Sequence, residues 1–277
     1  MSVERIFQIL FRSVFYPLRT LSRNASLIQS MVRRDIQGRY RGSVGGTAWT
    51  LLHPLLLITV YYFVFGVVLE VRFGEGQGSG EFLLYFICGM LPWLAFSEAV
   101  GRSPGVILEN TNFVKRVIFP LEILPVNLTL TSLVAEGFAL LIFLGILITF
   151  GPGLGWTMLA LPLVLIPQVM LTMGICWFLA ALGVFLRDTS QVIGLVLTIW
   201  MYVTPIFYPA SQLPKHLLWF FEKNPMYLIV EMYRNIFLHG TLPAVYPLTV
   251  LWIMGIAFFW FGHSWFYKVK KSFADLL

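Results

Sequence analysis

Side chains that could do chemistry are few in this chain and do not gather. Glu136 stands inside a long apolar run. A carboxyl group there could face a polar conduit, relay a proton, or sit hydrogen-bonded between helices, for example against Ser132. Glu98, beside Ser97, falls near the end of another apolar run. His53, His216, His239 and His263 are scattered, and Cys88 and Cys176 have neither metal-ligand spacing nor an evident disulfide geometry. The chain has no GxxxxGK[ST] phosphate loop, no DxD, no HExxH and no GxSxG elbow. Uphill work must therefore draw its energy from a partner or an ion gradient. A single buried acid is thin support for a proton-coupled carrier. An enzyme acting on polyprenyl-linked sugars needs a carboxylate or histidine cluster, and the sequence offers none.

The aromatic residues form a second set. Trp49, Tyr61, Tyr62, Trp93, Phe96, Trp200, Tyr202, Phe207 and Tyr208 fall in three of the apolar runs. Each alone is accounted for by core packing or a headgroup belt. As a set they could line a passage for sugars, whose C–H faces stack on rings while their hydroxyls meet Tyr O–H and Trp N–H. Trp200, Thr204 and Phe207 stand at i, i+4 and i+7, which predicts a shared helix face.

The elements that must position these residues are membrane helices. Apolar runs over about 48–69, 82–100, 121–150, 156–186, 192–207 and 246–267 are near or above the ~18–20 residues that cross a bilayer as a helix. Charged residues make up 12% of the chain, against about 25% in soluble domains, and the mean hydropathy is +0.81. With the N-terminus in the cytoplasm, fifteen Lys and Arg residues fall inside and only Arg72, Lys215, Lys223 and Arg234 outside. That bias predicts an all-α, six-span protein with both ends cytoplasmic. The first apolar run begins only near Ala48, which argues against a cleavable leader. The net charge of +6 collects on the cytoplasmic arm and loops, which suits anionic lipid and a cytoplasmic partner better than nucleic acid.

Residues 1–47 form a cytoplasmic arm of two amphipathic pieces, followed by a transmembrane domain over 48–277. In the first piece Arg5, Arg12 and Arg19 oppose an apolar stripe, so it either lies in the headgroup plane or packs on the spans. Pro17 kinks or ends it. The second piece, from an Asn24 cap to Tyr40, carries Arg33, Arg34, Asp35, Arg39 and then Arg41. The 101–120 loop, with Asn110, Lys115 and Arg116, has room for a short surface helix. The stretch 209–240 is apolar yet holds Lys215, Glu222, Lys223, Glu231 and Arg234, which forbid an ordinary span. Pro214 can start a helix and Asn224-Pro225 breaks it. A re-entrant hairpin in the outer leaflet, before the last span, fits both properties.

The order of these features resembles the membrane-spanning subunit of type-2 ABC exporters, most closely the permeases for O-antigen and related cell-surface polysaccharides. The resemblance runs from about Met31 to the C-terminus. It rests on Arg33-Arg34-Asp35-Ile36 with Arg39-Tyr40-Arg41-Gly42, on Trp49-Thr50-Leu51-Leu52-His53-Pro54, and on Gly89-Met90-Leu91-Pro92-Trp93. It continues through Phe119-Pro120-Leu121-Glu122-Ile123-Leu124-Pro125, Gly183-Val184-Phe185-Leu186-Arg187-Asp188, Thr204-Pro205-Ile206-Phe207-Tyr208, Asn224-Pro225-Met226 and Arg234. Residues 1–22 look like an extension.

The resemblance implies a homodimer in the bacterial inner membrane, paired with two copies of a separate ATPase subunit that holds ATP and Mg, with no cofactor on this chain. The ATPase contact would involve Arg33, Arg34, Asp35, Arg39, Arg41, Asn110, Lys115 and Arg116. A lipid-linked glycan would pass along Trp49, Tyr61, Trp93, Trp200, Thr204, Phe207 and Tyr208. The hairpin with Pro214, Glu222, Glu231 and Arg234 would form the outer gate. Capsular polysaccharide, teichoic acid, and drug or small-lipid exporters share this architecture.

Overall fold

A computed structural model describes residues 17–38, 49–68, 79–114, 119–209, 216 and 218–276. Among these residues there is no strand. Lipid cannot satisfy backbone N–H and C=O groups, so each apolar run closes its own hydrogen bonds as a helix. The helices are α1 (17–23), α2 (Ala25–Gly38), α3 (Trp49–Tyr61, continued by a π-helix over Tyr62–Val68), α4 (Ser79–Arg102), α5 (Val106–Glu109), α6 (Thr111–Val114), α7 (Ile123–Phe150), α8 (Leu161–Phe185), α9 (Thr189–Val203), α10 (Leu218–Phe221), α11 (Pro225–Phe237), α12 (Val245–Val269) and α13 (Phe273–Leu276). Short 3-10 turns precede α5 and α8.

Among the described residues, four helical stretches are long and apolar enough to cross a membrane: Glu81–Glu109, Ile123–Phe150, Trp156–Phe185 and Val245–Ser272. They coincide with the second, third, fourth and sixth predicted runs. The fifth run is shorter as a helix than the sequence reading has it. α9 has 15 residues and stops at Val203, and Thr204 turns extended with ψ 128°. Fifteen residues rise ~22 Å, less than the ~30 Å hydrocarbon core. Pro205 is the cause, because its ring drives the preceding residue out of helical geometry.

α4 is the centre of the bundle. Phe82, Phe86, Ile87, Leu91, Trp93, Phe96 and Val100 along it are all buried, and α7, α8, α9 and α11 pack around it. α8 and α12 run against each other along most of their length. Glycine makes that approach possible: a Cβ on Gly262 would collide with the Gly174 carbonyl, and one on Gly255 would meet the Pro167 carbonyl at 2.8 Å. Such backbone contact is how membrane helices gain packing energy where lipid is as apolar as the side chains.

α1 and α2 meet at Asn24, whose Nδ2 donates to the Thr20 carbonyl at 2.8 Å and whose own carbonyl accepts from Ile28. Asn24 thus joins the two pieces, its carbonyl opening α2 as the sequence reading expects of a cap while its side chain bonds back to α1. α2 buries Ile28 and Met31 and leaves Arg33 and Arg34 exposed. Its apolar stripe packs on the bundle, against α7.

Candidate functional site

At the basic end of the bundle, two segments far apart in sequence come together. The Arg34 guanidinium of α2 lies 5.8 Å from the Phe113 ring centre of α6. Asp35 faces Arg102 at the end of α4, 3.5 Å away, and Arg102 also approaches Glu98 at 3.9 Å. Asn110 caps the end of α5, its Nδ2 donating to the Val106 carbonyl at 2.9 Å. Phe113 stacks on Phe119, with ring centres 4.5 Å apart. Arg33, Arg34, Asp35 and Asn110 therefore share one end of the molecule. Arg39, Arg41, Lys115 and Arg116 lie outside the described residues.

Sequence reasoning missed an ion pair between a buried carboxylate and a half-buried lysine at this end. Lys270 Nζ donates to Glu122 Oε1 at 2.7 Å, and Glu122 is only 3% exposed. Trp177 Nε1 donates to the Glu122 carbonyl at 2.9 Å, and its ring meets His263 edge-on at 5.1 Å. The entry to α7 is thereby tied to the end of α12. Its signal in the sequence was an acid directly before a long apolar run.

The predicted path residues divide into two groups. Trp200 Nε1 donates to Asn224 Oδ1 at 2.8 Å, and Asn224 Nδ2 donates to Thr204 Oγ1 at 3.1 Å. Asn224 Oδ1 also accepts from the Met226 N–H at 3.0 Å, so it is the N-cap of α11 with Pro225 behind it. Because the helix ends at Val203, Trp200, Thr204 and Phe207 do not continue one helical face. Trp200 and Thr204 turn to Asn224 at the start of α11, while Phe207 turns to Tyr61, Phe86 and Tyr202 with ring centres 5.8, 5.5 and 5.7 Å away. Tyr208 donates its O–H to the Tyr202 carbonyl at 2.8 Å. Trp93 is buried against Phe96, which in turn meets Trp200 edge-on at 5.2 Å. Trp49 opens α3, and its side chain lies outside the described set. An apolar cavity of about 260 Å³ opens between α4, α8, α9 and α12, lined by Phe178, Leu197, Trp200 and Phe261 among others.

Within the stretch that the sequence reading assigns to a hairpin, α11 sinks into the bundle. Arg234 is fully buried, with Nη1 bonded to Glu231 at 2.8 Å and Nη2 to the Ile206 carbonyl at 3.2 Å. Tyr233 places its O–H 2.7 Å from Glu136 Oε1, and Gln168 Nε2 donates to Glu136 Oε2 at 3.0 Å. Glu136 thus pairs across helices and not with Ser132, whose hydroxyl is already spent on the Leu128 carbonyl one turn back at 2.8 Å. Glu222 is exposed in the turn between α10 and α11. Pro214 lies outside the described residues. A larger cavity, about 530 Å³, lies beside this end between Glu81, Tyr85, Phe150, Pro209 and His239.

The profile of the ABC-2 type transporter family matches residues 26–238, from α2 through the end of α11. The chain belongs to the ABC-2 type transporter membrane family. As a member of that family it is a multi-pass membrane permease, a transporter subunit that works with a partner ATPase. This ABC-2 permease is 30% identical over 262 residues to an O-antigen export system permease protein of Myxococcus xanthus, spanning 93% of this chain and 98% of the relative. It is 28% identical over 257 residues to an O-antigen export system permease protein of Klebsiella pneumoniae, covering 91% and 95%. It is also 22% identical to the polysialic acid transport protein of Escherichia coli, over 77% of this chain and 81% of that one.

Proposed function

We propose that this ABC-2 permease is the membrane subunit of an ATP-driven exporter that carries a lipid-linked polysaccharide of the O-antigen type across the bacterial inner membrane. The observation that carries this reading is the near end-to-end similarity to O-antigen export permeases. The similarity to the polysialic acid transporter is lower and covers less of the chain, so capsular export is the weaker reading. Two copies of this chain pair with two copies of a separate nucleotide-binding subunit, which holds ATP and Mg. Both termini are cytoplasmic and the chain crosses the membrane six times. α3 with its π-helical continuation, and α9 together with the non-helical residues that follow it, supply the two crossings beyond the four long helices.

The division of labour follows from where the residues stand. Arg34 beside Phe113 makes one continuous contact from α2 and α6, a surface on which a moving ATPase could push on α2 and the α4–α7 connection together. The ion pair of Glu122 with Lys270 would carry that push to α12. The Tyr61, Tyr202 and Phe207 rings, backed by the buried Phe86, form the aromatic, uncharged wall that a passing glycan needs, since weak stacking contacts permit sliding where fixed charges would hold. Deleting the gene should leave lipid-linked glycan in the inner membrane and none at the surface, with restoration by the intact gene. Normal surface glycan in the deletion strain would refute the substrate assignment.

A further inference from the structure

The hairpin helix α11 is held by polar contacts from several different elements. Asn224 at its start is bonded by Trp200 and Thr204 at the end of α9. Tyr233 reaches Glu136 of α7 and lies 3.0 Å from Gln168 Oε1 of α8. Arg234 lies on the Tyr85 ring of α4 and bonds the Ile206 carbonyl. The Ile236 carbonyl accepts from Thr157 Oγ1 at 2.7 Å. Tyr233, Glu136, Gln168 and Arg234 are all 5% exposed or less.

These contacts have one register. Sliding or rotating α11 by a residue breaks all of them together, which strips the Tyr233 phenol of both its partners and leaves the Glu136 carboxyl group only its bond from Gln168 and the Arg234 guanidinium only its bond to Glu231, in a low-dielectric interior. Helix movements at switching interfaces run between two arrangements of similar energy.

We infer that α11 is the fixed limb of the outer hairpin, held at its depth by Glu136 acting through Tyr233, and that export proceeds without α11 shifting against α4, α7 and α8. Glu136 and Gln168 are positioning residues, and Glu231 and Arg234 belong to an anchor and not to a moving gate. The inference rests on the reading of the chain as an export permease.

The test uses the transporter reconstituted with its ATPase, with spin labels at Thr149→Cys, on the exposed end of α7, and Asn235→Cys on α11, diluted with unlabelled copies. The 149–235 distance should be the same without nucleotide and with a non-hydrolysable ATP analogue, in a preparation shown to export. A shift on nucleotide binding overturns the inference. Glu136→Leu and Tyr233→Phe should each broaden the distance distribution and lower export several-fold, and the double variant should be no worse than the worse single one. Glu136→Gln should restore both readouts, because its amide oxygen still accepts from Tyr233 and its amide group can bond Gln168. Lost export with an undisturbed distance in Glu136→Leu would show that Glu136 acts by another route. A labelled parent that moves no glycan would instead count against the functional reading, while the nucleotide-free distances still test the anchor.

Discussion

The Arg234 guanidinium carbon lies 3.4 Å from the centre of the Tyr85 ring, in space that Gly89 leaves open one helical turn further along α4. A buried cation over an aromatic face is stabilised by the ring quadrupole, and by more when water is excluded. A methyl group on Gly89 would stand 2.9 Å from Arg234 Nη2. Gly89→Ala should therefore cost about 1–3 kcal/mol by overpacking. The check is a lowered unfolding midpoint in detergent, with recovery expected when Arg234→Lys is added to shorten the partner. An unchanged midpoint in Gly89→Ala would show that the guanidinium can move aside.

Lys270 and Glu122 should be strongly coupled. Removing one partner of a buried pair costs on the order of 3–5 kcal/mol because the other charge stays buried. Lys270→Met alone should destabilise the protein by roughly that amount. Lys270→Met with Glu122→Gln should recover most of it, as read from a double-mutant cycle of unfolding midpoints. Additive losses would mean that the two side chains act independently.

Asn224→Ala should loosen the start of α11 more than an ordinary cap loss of about 1 kcal/mol, since it also removes the bonds to Trp200 and Thr204. Trp200→Phe keeps the ring and loses only the N–H donor, so its effect should be the smaller of the two. Protease accessibility of the 209–224 segment is the measurement. Equal effects from the two substitutions would put the weight on the Trp200–Asn224 bond alone.

Charge reversal at Arg34, which lies over Phe113, should uncouple ATP hydrolysis from export while leaving membrane insertion intact. The readout is ATPase rate beside glycan export in vesicles with verified orientation. Lys115→Glu should act in the same direction. If both variants export normally, the basic residues of this end serve only to bind lipid and set orientation.

The long helices were legible in the sequence because lipid leaves the backbone no alternative to a helix, so the length of an apolar run nearly fixes its element. Side-chain partners were not legible. Arg234 reads in sequence as a charge that bars a span, and its burial depends on Tyr85 and Gly89, far away along the chain. Lys270 reads as one more topogenic lysine, and its partner Glu122 stands 148 residues earlier. The alignment of Trp200, Thr204 and Phe207 fails for a reason the sequence did contain: periodicity presumes an unbroken helix, and Pro205 forbids it. Arg34 and Asn110 needed no long-range pairing to be placed at one end, since alternate connections of a spanning bundle share a side.

The glycine contacts between α8 and α12 also bear on how the protein is made. Among the described residues α12 follows the other long helices along the chain, so until it is synthesised the groove at Gly174 and Pro167 on α8 has no occupant from α12. Lys270, the partner of the buried Glu122 carboxylate, arrives later still. A nascent chain stopped before Val245 would carry its spans without the helix that seals them, and quality-control proteases would meet an open seam along α8.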